Sequence, residues 1–193
     1  LGDVSVYPVS SRYAKESKIW FSLLEKHHYL GNGNLCGAQI RYLVKSSYGY
    51  LGALAFSSAS WSLKDRDDYI GWKEGARRAH LNRVICNSRF LILSTVRVPN
   101  LASHVLSLVL SRVAKDWEQR YYTRPVLVET FVDPAFTGAC YQAANFAYVG
   151  ESAGRRDGVA KKVFLHPLCR EWKDVLCDEP EIRMPRPEAP KHW

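Results

Sequence analysis

The sequence predicts a single α/β domain in which one mixed, twisted sheet is flanked by helices. Three observations carry this. Apolar, β-branched segments alternate with segments of helical period in the order strand, strand, strand, helix, strand, helix, strand. The stretch 89–132 reads strand–helix–strand, which requires a parallel crossover, whereas the short Ser46–Gly49 connection makes an antiparallel hairpin. A chain of 193 residues fits one domain by length.

The elements follow in order. Residues 11–30 read as a helix because Ile19, Trp20, Leu23, Leu24 and His27 recur at three- and four-residue spacing. Gly31-Asn32-Gly33-Asn34 stops it. Residues 38–45 and 49–57 read as two strands, and 73–84 as a polar helix or an irregular insert. Residues 89–98 (RFLILSTVRV) read as a buried strand. Pro99-Asn100 opens a helix to about Gln119, with Leu101, Val105, Leu108, Val109, Val113 and Trp117 on one stripe. A strand follows at 126–132, a short helix at 138–145, and strands at 146–149 and 162–165. From Cys177 the chain becomes proline-rich and charged, so the domain is expected to span 1–176 and a linker or tail 177–193. No internal repeat is visible.

Composition excludes several classes. A 47% hydrophobic content is too high for a disordered chain. No apolar run is long enough to span a bilayer, and LGDVSVYPVSSR lacks the pattern of a secretory signal. Five cysteines, an odd number with no Cys-x-x-Cys, read as reduced thiols rather than a zinc site. A cytoplasmic protein with no membrane partner is expected.

Charge is uneven. Of the formal +8, residues 1–100 carry 14 − 7 = +7 and residues 101–193 carry 13 − 12 = +1. The basic stretch Lys64–Arg97 is interleaved with Trp61, Tyr69 and Trp72. Cations displace counterions from phosphates and aromatic faces stack on bases, so DNA is the expected partner. Expected nucleic-acid contacts are Arg66, Trp72, Lys73, Arg77, Arg78 and Arg83, with a second cluster at Arg155, Arg156, Lys161 and Lys162. The competing reading is a solvated helix face.

Seven residues are candidates for chemistry. His28, at a helix end before a glycine turn, is a candidate general base; packing or capping competes. Glu129 and Asp133 stand at i and i+4 of one strand, a spacing that suits a divalent metal or a split of acid and base roles. Their alternative is an ion pair of Glu129 with an arginine, Arg89 or Arg97, and a turn capped by Asp133. Asn87, Arg89, Tyr141 and Asn145 flank apolar runs and are candidates to line a pocket for a flipped base or a phosphate. Convergence of His28, Asn87, Arg89, Glu129 and Tyr141 in one cleft favours an enzyme; scatter favours capping and packing.

Two segments resemble the Gcn5-related N-acetyltransferase fold. Arg97-Val-Pro-Asn100-Leu-Ala102 is similar to that family's pyrophosphate-binding turn, and Tyr141-Gln-Ala-Ala-Asn145-Phe146 to its late Y-x-x-x-G-F segment. Asn stands for Gly at 100 and 145, and Asn tolerates the tight turn. The resemblance implies a twisted mixed sheet and coenzyme A as a candidate cofactor, hence acyl transfer as an alternative function. A second resemblance covers HHYLG (27–31), RDDYIGW (66–72), NSRFLIL (87–93), VPNLASHVLS (98–107), ETFVD (129–133) and GACYQAANFAYVGESAGR (138–155). These blocks are similar to the DruA-like domain of the Druantia anti-phage system, also found fused to transposases. Ser152 and Phe146 stand where that family suggests Thr and Trp. The resemblance implies bacterial phage-defence or mobile-element biology with DNA as substrate or partner, and the polar residues His28, Asn87, Arg89, Glu129 and Tyr141 are the expected pocket for processing or modifying it. It also implies a transposase or defence protein as partner, with a non-catalytic adaptor as the remaining alternative.

Overall fold

A computed structural model describes residues 3–11, 13–154 and 158–179. The elements are β1 (Ser5–Pro8), α1 (Lys15–His27), β2 (Gln39–Ser46), β3 (Gly49–Ser58), α2 (Lys64–Ile70), α3 (Glu74–His80), β4 (Val84–Ile92), α4 (Leu101–Tyr121), β5 (Leu127–Val132), α5 (Ala139–Ala143), β6 (Ala147–Glu151), β7 (Lys162–Pro167) and α6 (Trp172–Cys177). The seven strands form one sheet in the order β1-β2-β3-β4-β5-β7-β6. Among the described residues only the β4–β5 pair is parallel, joined through α4 as the strand–helix–strand pattern requires. Ser46 pairs with Gly49, so Ser47 and Tyr48 alone turn the β2–β3 hairpin, and Gly49 takes φ 117°.

Alternation along the strands loads both faces. On one face, Tyr42, Val44, Leu54, Phe56, Ile85, Val128 and Phe164 pack against the apolar stripe of α4 and against Tyr141 of α5. On the other, Leu43, Ala53, Ala55 and Leu91 pack under Trp20 and Leu24 of α1. Farther along that face, Val84, Leu127, Val163 and Leu165 pack under α2, α3 and α6.

Three sequence expectations shift. The first helix is shorter than 11–30, and the residues before it supply the edge strand β1. The strand expected at 89–98 runs 84–92 instead, because β3 ends its pairing with β4 at Gly52–Ile92. The charged stretch after Leu63 forms α2, closed by Gly71 in the left-handed conformation.

Arg66 of α2 is buried completely, and so is Glu129 of β5. Arg66 Nη1 donates to Glu129 Oε2 at 2.7 Å, and the Ser60 amide donates to Glu129 Oε1 at 2.8 Å. Arg66 also donates to the Ser60 carbonyl and, through Nε, to Asp67. Asp67 in turn accepts from Trp72 Nε1 and the Leu63 amide. Burial pushes the Glu129 carboxyl up, and Arg66 and the Ser60 amide pull it back.

Removing one partner leaves the other charged in an apolar layer. Glu129→Gln or Arg66→Met is expected to cost about 3–5 kcal/mol in urea unfolding, and Arg66→Met with Glu129→Leu less than the sum. Asn100 and Asn145 hold φ 60° and 62°. Alanine at either is expected to cost about 1 kcal/mol and glycine little, measured in the same unfolding series.

Candidate functional site

The parallel pairing of β4 with β5 covers Val84–Leu127 to Asn87–Thr130 and then stops. Beyond it the two strands part. A bulge sits at the same place, since Ala55 pairs with Arg89 and Phe56 with Asn87, leaving Ser88 between them. The extra residue reverses the alternation. Asn87 shares the α4 face with Ile85, while Arg89 joins Leu91 on the α1 face.

On the α4 face, Tyr141 Oη donates to Asn87 Oδ1 at 2.8 Å. Asn87 Nδ2 donates to the Ala55 and Arg89 carbonyls, and Thr130 Oγ1 to the Asn87 carbonyl. Burial pushes the Tyr141 hydroxyl up and out of the range of physiological titration. These groups form a closed polar knot.

On the α1 face, Arg89 reaches into the loop after α1. Its Nε donates to the Gly31 carbonyl at 3.3 Å, Nη2 to Gly33 at 3.4 Å and Nη1 to its own neighbour Ser88 at 2.7 Å. These use three of its five N–H groups, and no carboxylate pairs with it among the described residues. His28 stands beside it. The Leu30 amide donates to His28 Nδ1 at 3.1 Å. The Phe90 backbone favours the imidazolium. Burial, and then the Arg89 charge, hold the imidazole down at about 4. His28 thus latches the start of the loop through Nδ1, whose lone pair is taken by the Leu30 amide.

The loops complete this end of the sheet. Tyr29 stacks on His28 with centroids 4.9 Å apart and meets Phe136 of the loop after β5 at 5.5 Å. Lys162, opening β7 opposite Val132, donates Nζ to the Phe136 carbonyl at 3.1 Å. Lys161 precedes it, and Arg97 is exposed in the loop from β4 to α4. Ligands gather at the carboxyl ends of parallel strands where a sheet parts.

The residues expected to converge therefore separate into groups. Asn87 and Tyr141 meet on one face, and His28 and Arg89 on the other. Glu129 is on that second face but sealed against Arg66, so it pairs neither with Arg89 nor with Arg97. Asp133 accepts from the Ala135 amide and caps a turn, and no metal-ligand cluster exists among the described residues. Asn145 is an exposed turn residue whose carbonyl contacts His166 Nδ1.

The expected basic surface is also redrawn. Arg66 and Trp72 are interior. Lys73 pairs with Glu179, Arg78 with Glu74, and Arg77 lies over Trp61 and donates to its carbonyl. Arg83 is half-buried. Arg155 and Arg156 lie outside the described residues. Tyr29 and Phe136 were not singled out in the sequence. The available signal was an aromatic placed in a polar, turn-forming segment, HHYLG and DPAFTG.

The fold is that of the Gcn5-related N-acetyltransferases. An aminoglycoside acetyltransferase, AAC(6')-Ib in complex with coenzyme A, superposes with TM-score 0.58 at 12% identity, covering 86% of this chain and 95% of that one. A GNAT-family acetyltransferase from Bacillus cereus superposes at 0.54 and 12%, over 88% and 100%. A spermidine N-acetyltransferase chimera of Vibrio cholerae SpeG and hSSAT gives 0.55 and 10%, over 86% and 95%. Within that fold the chain belongs to the family described as Druantia protein DruA, whose pattern matches residues 6–158. It is thus a defence-associated domain. No curated protein matches the chain. Among the described residues, no helix is long and apolar enough to cross a membrane.

Coenzyme A is the group this fold implies. The turn before α4 keeps the required shape, because Asn100 adopts the left-handed conformation that glycine would supply. The split does not fit the cofactor. The Tyr141 hydroxyl is committed to Asn87, and the Ser88 carbonyl is engaged by Arg89.

The His28 latch carries a pH signature. The unfolded chain takes up a proton near 6.5 that the folded ring refuses until about 4, so stability is lost as pH falls through that window. His166, also held down by burial, adds in the same direction. An NMR titration of His28 is expected to centre near 4. His28→Gln should flatten its part of the stability profile and leave that of His166.

Proposed function

We propose that this defence-associated domain binds DNA where β4 and β5 part, with Arg89 and Lys162 contacting phosphate and Lys161 and Arg97 extending the cationic track. The observation that carries the reading is Arg89. A half-buried guanidinium held by carbonyls alone is desolvated without a counter-charge, and a bound phosphate supplies one. Burial lowers its proton affinity, which an anion would restore. The reading is for binding rather than processing, because Glu129 is sealed against Arg66, Asn87 and Tyr141 bond each other, and His28 Nδ1 is taken by the Leu30 amide.

The second reading, acyl transfer from acyl-coenzyme A, is favoured by the left-handed Asn100 at the mouth of α4. Calorimetry with acetyl-coenzyme A separates the two: no heat is expected, and saturable heat would favour the acyltransferase. Binding of a short labelled DNA is expected to weaken with salt. Arg89→Ala and Lys162→Ala should each lower the slope of log affinity against log salt by about one. Arg77→Ala with Arg78→Ala should leave it unchanged. Affinity indifferent to salt or to Arg89 overturns the proposal.

A further inference from the structure

We infer that the DNA taken at this site is unpaired, with a base stacked on the Tyr29–Phe136 surface while its phosphate meets Arg89. The inference rests on the binding reading above. Tyr29 and Phe136 are 56% and 52% exposed. They come from different loops yet stand 5.5 Å apart, tilted by 50°. Each is braced: Tyr29 lies on His28, inclined by only 22°, and the Phe136 loop is held by Lys162. Arg89 Nε donates to the Gly31 carbonyl, two residues from Tyr29, so guanidinium, two rings and an ammonium gather at one end of the sheet from β4, two loops and β7.

Elsewhere, Trp61 is 69% exposed with Arg77 over its ring, and Tyr69 is stacked on Trp172 with Lys173 near both. In a duplex the bases spend their faces on each other, so braced rings gain nothing from paired DNA. An unpaired base offers its face, and a stacking platform with a cation for the neighbouring phosphate is the physical form of single-strand binding.

The test compares a labelled single strand with a fully paired hairpin of the same sequence, using the full chain at one salt concentration. The single strand is expected to bind about ten-fold or more tightly. Tyr29→Ala with Phe136→Ala should remove that preference. Tyr29→Phe with Phe136→Tyr, which keeps both rings, should retain it, and unchanged unfolding midpoints certify the fold. Equal binding of both DNAs with loss in Arg89→Ala overturns this inference and leaves the DNA reading standing. Unchanged single-strand affinity in the double alanine variant also overturns it. Failure of both DNAs to bind overturns the DNA reading itself.

Discussion

The carboxylate of Glu129 constrains more of this molecule than any other group. It stands in the middle of the sheet, fully buried, on a strand whose neighbours are Leu127, Val128 and Phe131. A charge there is tolerated only with its oxygens satisfied, and they are, by Ser60 and Arg66. Satisfying them draws the chain leaving β3 back onto β5 and fixes α2 across the sheet. Arg66 then needs Asp67, and Asp67 organises Leu63 and Trp72. The neighbouring Cys86 thiol is pushed well up by burial and then by Glu129, so it packs as a neutral, unreactive group. One acidic residue thus organises the segment from Ser60 to Trp72.

The bulge at Ser88 is the second organising feature. Without the extra residue, Arg89 would follow Asn87 onto the α4 face. With it, the guanidinium reaches the glycine loop after α1 and also serves the Ser88 carbonyl at the end of β4 left without β5. An open strand edge is exposed to pairing with other chains, and side chains of the same molecule cover part of this one.

The legible parts of the sequence were those governed by local rules. The Asn residues at 100 and 145 stood where glycine is usual and do hold left-handed backbone. The stripe on α4 placed Leu101, Val105, Val109, Val113 and Trp117 correctly in the core, while Leu108 is only half-buried and Leu106 and Ala114 are buried beside them. Strand β4 was misplaced because apolar and β-branched residues continue past Ile92 to Val98, and only the reach of β3 and β5 decides where pairing stops. The type of bond at Glu129 was readable, but not its partner, 63 positions away. The basic stretch misled for the same reason. A count along the chain does not show that Glu179 lies against Lys73 or that Arg66 is interior.

The contrast between two arginines bears on function. Arg66, buried completely, is given Glu129 and Asp67. Arg89, half-buried, is given only backbone carbonyls, although this fold brings carboxylates to buried cations where it needs them. Carbonyl dipoles orient a guanidinium but neutralise no charge. A carboxylate at the same place would stabilise the free protein and compete with any anion arriving from outside. The arrangement therefore suits a site that stays open to an anion, and the same β4–β5 parting that supports it also carries the exposed rings of Tyr29 and Phe136. Cation and rings together favour a ligand with both a phosphate and a flat face, which a nucleotide has and a small inorganic anion lacks.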